Sequence, residues 1–182
     1  MSRSYPDESI EPQAVSPLEF TDREGRHVEV LPYGDRLDDT AEYEAAVDMY
    51  VHFDSSDRAQ GIPPSTEERI RSWLDTILGD EMVNVLAWHE DRVVGHATLV
   101  PDQRGAHELA IFVQNEYQEA GIGTRLMRTL LWHGAEVGVG RVWLTVERWN
   151  TAAINLYEKI GFVASDPEGF ELEMSARLAS PD

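Results

Sequence analysis

Apolar positions divide this chain into helical and strand-like stretches. Ile70, Trp73, Leu74, Ile77 and Leu78 fall at i, i+3, i+4, i+7 and i+8, the spacing of one helix face, with Ser65 and Glu68 as a capping box and Gly79 as a stop. Tyr43, Ala46, Val47, Tyr50 and Phe53 mark an earlier helix face, which Asp39 can cap with Glu42 three residues on. Leu126, Met127, Leu130, Leu131 and Ala135 make a third, in a helix over 124–137 that Gly138 and Gly140 end, and residues 152–160 a fourth. Strand-like runs lie at 27–31, 83–88, 93–100, 108–113 and 142–147, then near Phe162 and over 170–174; a polar connector, His89 to Arg92, makes a hairpin of the second and third.

The order strand, helix, strand over 108–147 predicts a right-handed crossover between parallel strands, beside the antiparallel hairpin. The expected fold is therefore α/β of the α+β kind, with a mixed sheet and about four helices. Residues 1–24 are rich in Ser, Pro, Asp and Glu without apolar periodicity, which predicts a mobile tail, and 25–182 is expected to be one domain.

Composition narrows the chemistry. With no cysteine, disulfides, thiolate metal sites and a cysteine nucleophile are excluded. No run approaches the ~18 apolar residues that span a bilayer, and the polar, acidic start does not resemble a leader, so a cytoplasmic location and no membrane partner are expected. The 34 acidic and 15 basic residues give a formal net charge of -19, and Lys159 is the only lysine. Nucleic acid is not an expected partner. An acidic surface with arginine in place of lysine suits concentrated salt, where the Debye length is about 3 Å at 1 M, and a halophilic source is the expectation. The histidines show no ligand spacing, and no metal is expected.

Gln118-Glu119-Ala120-Gly121-Ile122-Gly123-Thr124, between an apolar strand and an amphipathic helix, is the segment suited to holding phosphate. Two glycines let the backbone approach a ligand, and the first amides of the helix have no intrahelical acceptor. A P-loop would need a Gly-Lys-Ser or Gly-Lys-Thr end, which does not occur. A dinucleotide fingerprint would need glycine where Leu126 stands and a turn placed directly after the strand; Glu147, where the ribose-binding acid would lie, is its one support.

The run Glu108-Leu-Ala-Ile-Phe-Val-Gln-Asn-Glu-Tyr-Gln-Glu-Ala-Gly-Ile-Gly-Thr124 resembles the acetyl-CoA signature of the GCN5-related N-acetyltransferase (GNAT) superfamily. Trp149-Asn150-Thr-Ala-Ala-Ile-Asn155-Leu-Tyr157-Glu-Lys-Ile-Gly161-Phe162 resembles the superfamily's later segment, and the spacing of the two blocks matches. The resemblance implies a mostly antiparallel sheet of six or seven strands whose fourth and fifth strands splay to admit the pantetheine arm. It implies backbone contacts to that arm from Phe112 and Val113, an oxyanion contact near Ile111 to Val113, and a phosphate cradle over Gln118, Glu119, Ala120, Gly121, Ile122, Gly123 and Thr124, with Arg125 adding charge. Asn150 reads equally as an arm contact or a helix cap, and Asn155 as an arm contact.

The implied reaction is direct acetyl transfer from acetyl-CoA to a primary amine in a ternary complex, with no metal. An amine of pKa about 10.4 is mostly protonated at pH 7, a handicap of roughly 4.6 kcal/mol, so a base is needed. Glu108 is the first candidate and His107 the second; they point to opposite faces of a strand. Tyr157 is implied as the group that protonates the departing thiolate. The acceptor is a protein amine or a small amine, chosen by the first two helices and the loop carrying Asp54, Asp57, Arg58 and Gln60. A monomer or homodimer is expected, and the alternative is a CoA-sensing or partner-binding module without turnover.

Overall fold

The computed structural model describes residues 3–58, 62–166 and 169–181. The strands are β1 (Ser9–Ile10), β2 (Glu19–Thr21), β3 (His27–Pro32), β4 (Val83–His89), β5 (Arg92–Pro101), β6 (His107–Val113), β7 (Arg141–Glu147), β8 (Val163–Asp166) and β9 (Glu171–Leu178). The helices are α1 (Asp39–Val51), α2 (Glu67–Ile77), α3 (Ile122–Glu136) and α4 (Thr151–Ile160). The strands form one sheet in the order β1-β9-β7-β6-β5-β4-β3-β2, with β8 paired to β9. Among the described residues, only β6 with β7 and β1 with β9 run parallel. The described residues from His27 onward form seven strands, the upper expected number; the other two come from the lead-in.

The two faces of the sheet bury different cores. On one, Leu126, Met127 and Leu130 of α3 pack on Val85, Ala97 and Leu99. On the other, Ala46 and Tyr50 of α1 and Ile70 and Leu74 of α2 meet Leu86 and Trp88. The alternation of apolar residues along β4 and β5 feeds both layers, because successive side chains point to opposite faces.

Both predicted caps are displaced by one residue. Asp38, not Asp39, accepts the Ala41 amide at the start of α1, and Thr66, not Ser65, accepts from Arg69 at the start of α2. Neighbouring residues of equal capping chemistry compete there, and the backbone entry angle decides. Glu42 is not a capping-box partner: it is buried and accepts the amides of Gly34, Arg36 and Leu37 at 2.6, 2.8 and 2.8 Å, which closes the loop before α1. The β4–β5 connection is also tighter than expected, two residues long, with Glu90 at φ 55.

The lead-in has no apolar periodicity, yet its described part lies along the sheet. Arg3 bonds both oxygens of Glu173, at 2.8 and 3.1 Å, and its guanidinium lies 3.6 Å from the Trp143 ring centroid. Ile10 packs so closely over Gly161 that a Cβ there would come within 2.9 Å of it. Strands of two and three residues are too short to produce periodicity in the sequence.

Candidate functional site

β6 and β7 pair only at His107↔Val142 and Glu108↔Trp143, then separate, so the expected splay lies between these two strands. The gap is a cleft of about 310 Å³. Glu108 to Phe112 line it from β6, Thr145 to Glu147 from β7, and Asn150, Ala153 and Tyr157 from α4, with Trp149 just before that helix. Asp57, Arg58 and Ile62, from the α1–α2 connection, close the remaining side. Gln60 falls outside the described residues.

Backbone direction along β6 determines what the cleft offers. Gln114 N–H donates to the Val94 carbonyl, toward β5, and successive residues of a strand turn their polar groups to alternate edges. Phe112 backbone groups therefore pair with β5, whereas those of Ile111 and Val113 face the gap, where β7 has departed. The Phe112 ring lies edge-on to Tyr50, Phe53 and Trp73. The Val113 carbonyl also accepts from Gln118 Nε2 at 3.0 Å. The same Gln118 nitrogen reaches Asp57 at 3.1 Å, so this side chain ties the connector to the strand end.

The glycine turn begins α3 two residues earlier than expected. Gly121 is the N-cap at φ 93 and ψ 0, a left-handed conformation, and no side chain caps the helix. A Cβ on Gly121 would project into space with no atom within 4 Å, so the cradle is open where a side chain would fill it. α1 and α2 each carry two acids in the first turn, whereas α3 and α4 carry none. With no side-chain cap as well, the α3 N-terminus is able to hold an anion. Arg23, Arg125, Arg128 and Lys159 surround the hollow beside Gly121. Of these, the sequence marks Arg125 by its place beside the turn; Arg128, three residues on, shares its helix face, and Arg23 and Lys159 arrive from distant segments with no local signal.

Glu108 lines the cleft, whereas His107 points to the other face and lines a separate cavity with His133 and Val137. Partial burial raises the Glu108 carboxyl pKa; the Arg3 charge opposes this and Asp102 adds to it. Tyr157 is 7% exposed, packs against Phe162, and burial pushes its phenol up to about 12. Asn150 is the α4 cap, accepting from Ala153 at 3.2 Å, although it also borders the cleft. Asn155 is exposed and does not line the cleft: two residues from Tyr157 at 100° each, it sits on the far side of α4. Among the described residues, no helix is long and apolar enough to cross a membrane.

Residues 44–162 match a family model described as the acetyltransferase (GNAT) family. An uncharacterized N-acetyltransferase of Mycobacterium bovis is 33% identical over 87 residues, 47% of this chain and 56% of that protein; the match thus spans about half of each. The [ribosomal protein bS18]-alanine N-acetyltransferase of Escherichia coli strain K12 is 42% identical over 52 residues, 29% of this chain and 35% of that protein. In fold, the chain is similar to yncA of Salmonella typhimurium, solved with its cofactor acetyl-CoA, at a TM-score of 0.66 and 17% identity, covering 85% of this chain and 95% of that one.

Proposed function

This chain belongs to the acetyltransferase (GNAT) family, and from that premise we propose that it transfers the acetyl group of acetyl-CoA directly to a primary amine held in the β6–β7 cleft. The observation that carries the reading is the cleft itself: an opened strand pair with Glu108 and Tyr157 on its walls, next to an uncapped glycine turn.

Acetyl-CoA supplies the acyl group, activated as a thioester. The residues around it have separable tasks. The Gln118 to Thr124 backbone, with the charges of Arg23, Arg125, Arg128 and Lys159, suits the phosphates, and the gap-facing groups of Ile111 and Val113 suit the amide-bearing arm. Their N–H groups also stand ready for a developing oxyanion. Glu108 is the base: a carboxylate whose pKa is raised accepts a proton more readily from an ammonium group or an intervening water.

Tyr157 faces the leaving sulfur. Complete transfer from a phenol at about 12 to a thiolate of ordinary pKa, about 8.5, is uphill by roughly 5 kcal/mol. Its contribution is accordingly a hydrogen bond donated to the sulfur as charge builds; the C–S bond of the tetrahedral intermediate breaks, its nitrogen has given its proton to Glu108 and becomes the amide, and CoA leaves as a thiolate that solvent protonates. The acidic, lysine-poor composition suits a halophilic setting.

The test is incubation with acetyl-CoA and a panel of amines and peptides in molar salt, following free thiol. Acceptor-dependent release supports acetyl transfer; CoA binding with no release for any acceptor supports a sensing module instead.

A further inference from the structure

Large apolar side chains around the cleft mouth are unusually exposed. Trp149, which lines the cleft, is 75% exposed, and Phe170 is 97% exposed. They are the only aromatic residues among the exposed large hydrophobics of the described chain. They belong to adjoining loops, because the amide of Arg148 donates to the Phe170 carbonyl at 3.3 Å. Ile62, 47% exposed, borders the cleft from the α1–α2 side. A single exposed apolar residue is ordinary; two on the cleft lining and a third on the loop bonded beside it, on a chain with a net charge of -19, indicate a surface that something covers.

Charge at the mouth indicates what that is. Glu147 and Glu171 stand directly opposite each other on β7 and β9, an arrangement that repels unless a cation sits between or beside them. Neither forms an ion pair among the described residues. Both line the cleft with Asp57 and Glu108, four carboxylates against one guanidinium, Arg58. A small amine lying wholly inside the cleft would leave Trp149 and Phe170 in water. A longer ligand, extending outward from the reacting nitrogen, would cover them.

We propose that the acceptor is an extended polypeptide segment that lays an apolar side chain on Trp149 and Phe170 and a positively charged one beside Glu147 and Glu171. This rests on the acetyl-transfer reading and adds the class of acceptor to it. The apolar contact holds in concentrated salt, where the charge contact is screened.

The experiment compares thiol release for free amino acids and short diamines with that for ten-residue peptides. One peptide carries leucine and arginine next to the acceptor amine; two controls replace the leucine by serine or the arginine by glutamate. The leucine–arginine peptide is expected to exceed the small amines about 100-fold in kcat/KM and each control about 10-fold, with the arginine effect shrinking between 0.1 and 1 M salt. Phe170→Ser, outside the cleft lining, is expected to raise the peptide KM about 10-fold while leaving kcat, the acetyl-CoA KM and small-amine turnover unchanged. Phe170 is exposed, so an unaltered melting temperature verifies the fold. Small amines acetylated as well as the peptides, or an equal loss for both acceptor classes in this variant, overturns the inference and leaves acetyl transfer standing. No release with any acceptor overturns both.

Discussion

Tyr50 and His96 are joined by a 2.6 Å hydrogen bond between the phenol oxygen and the ring Nδ1, inside the core beneath α1. Its direction follows from the next link. Asn84 Nδ2 donates to the Ile77 carbonyl, so its Oδ1 faces His96 Nε2 at 2.7 Å and must accept. Nε2 then carries the proton, Nδ1 is the acceptor, and Tyr50 donates. Burial lowers the His96 pKa to about 3, so the folded ring stays neutral while an unfolded one, at about 6.5, takes up a proton. The stability this gives is complete above about pH 6.5 and is lost progressively as pH falls toward 3. Between pH 7 and 5 the loss is about 2 kcal/mol. Urea unfolding at the two pH values checks it: His96→Gln, whose amide can still donate and accept, should be less stable at pH 7 but lack this part of the pH slope.

That pair also shows what was legible beforehand. Helical spacing marks Tyr50 as a core position, and apolar neighbours mark the strand carrying His96. Their bond, between residues 46 apart, has no local signature. The same division holds in the cleft. The Gln118 to Thr124 turn, Glu108 and Tyr157 were visible because each belongs to a contiguous pattern. Which edge of β6 faces the gap depends on strand pairing with β5, so no local pattern separates Phe112, whose backbone groups turn to β5, from Ile111 and Val113, whose groups face the gap. Asn155 lies opposite Tyr157 on α4 by helix phase. Glu42 shows the limit of polarity as a guide: three converging amides make a buried carboxylate favourable.

Arg3 links the lead-in to both stability and chemistry. Arg3→Ala removes a two-pronged bond to Glu173 and a stacking contact on Trp143, which should cost about 1–2 kcal/mol in urea unfolding. Lysine should restore only part of it, because an ammonium group cannot bond both oxygens in one plane. The Arg3 charge also lowers the Glu108 pKa, so its removal raises that pKa. With Glu108 required as carboxylate, the acid limb of kcat/KM should move to higher pH in Arg3→Ala. An unmoved limb in a folded variant would separate Glu108 from the essential base.

Gly121→Ala tests the cradle. At φ 93 an alanine is strained by about 1 kcal/mol, yet its methyl group meets no protein atom. A small loss of stability should therefore accompany a large loss of acetyl-CoA binding, about 10-fold or more in Kd by calorimetry, as the methyl enters the space a phosphate would use. Proportionate losses in both would instead make this glycine a feature of the fold alone.

Tyr157→Phe separates packing from chemistry more sharply. The ring is buried against Phe162, but its hydroxyl has no hydrogen-bond partner among the described residues. Removing the hydroxyl costs no protein contact, so thermal stability should be unchanged or slightly higher. If the hydroxyl stabilises the departing sulfur, kcat should fall about 100-fold while acetyl-CoA affinity changes less than threefold. The measurement is single-turnover acetylation, so that product release does not hide the chemical step. A variant that keeps its full rate would leave Tyr157 as core alone, and the sulfur's partner would have to be water or a backbone amide of the opened β6 edge.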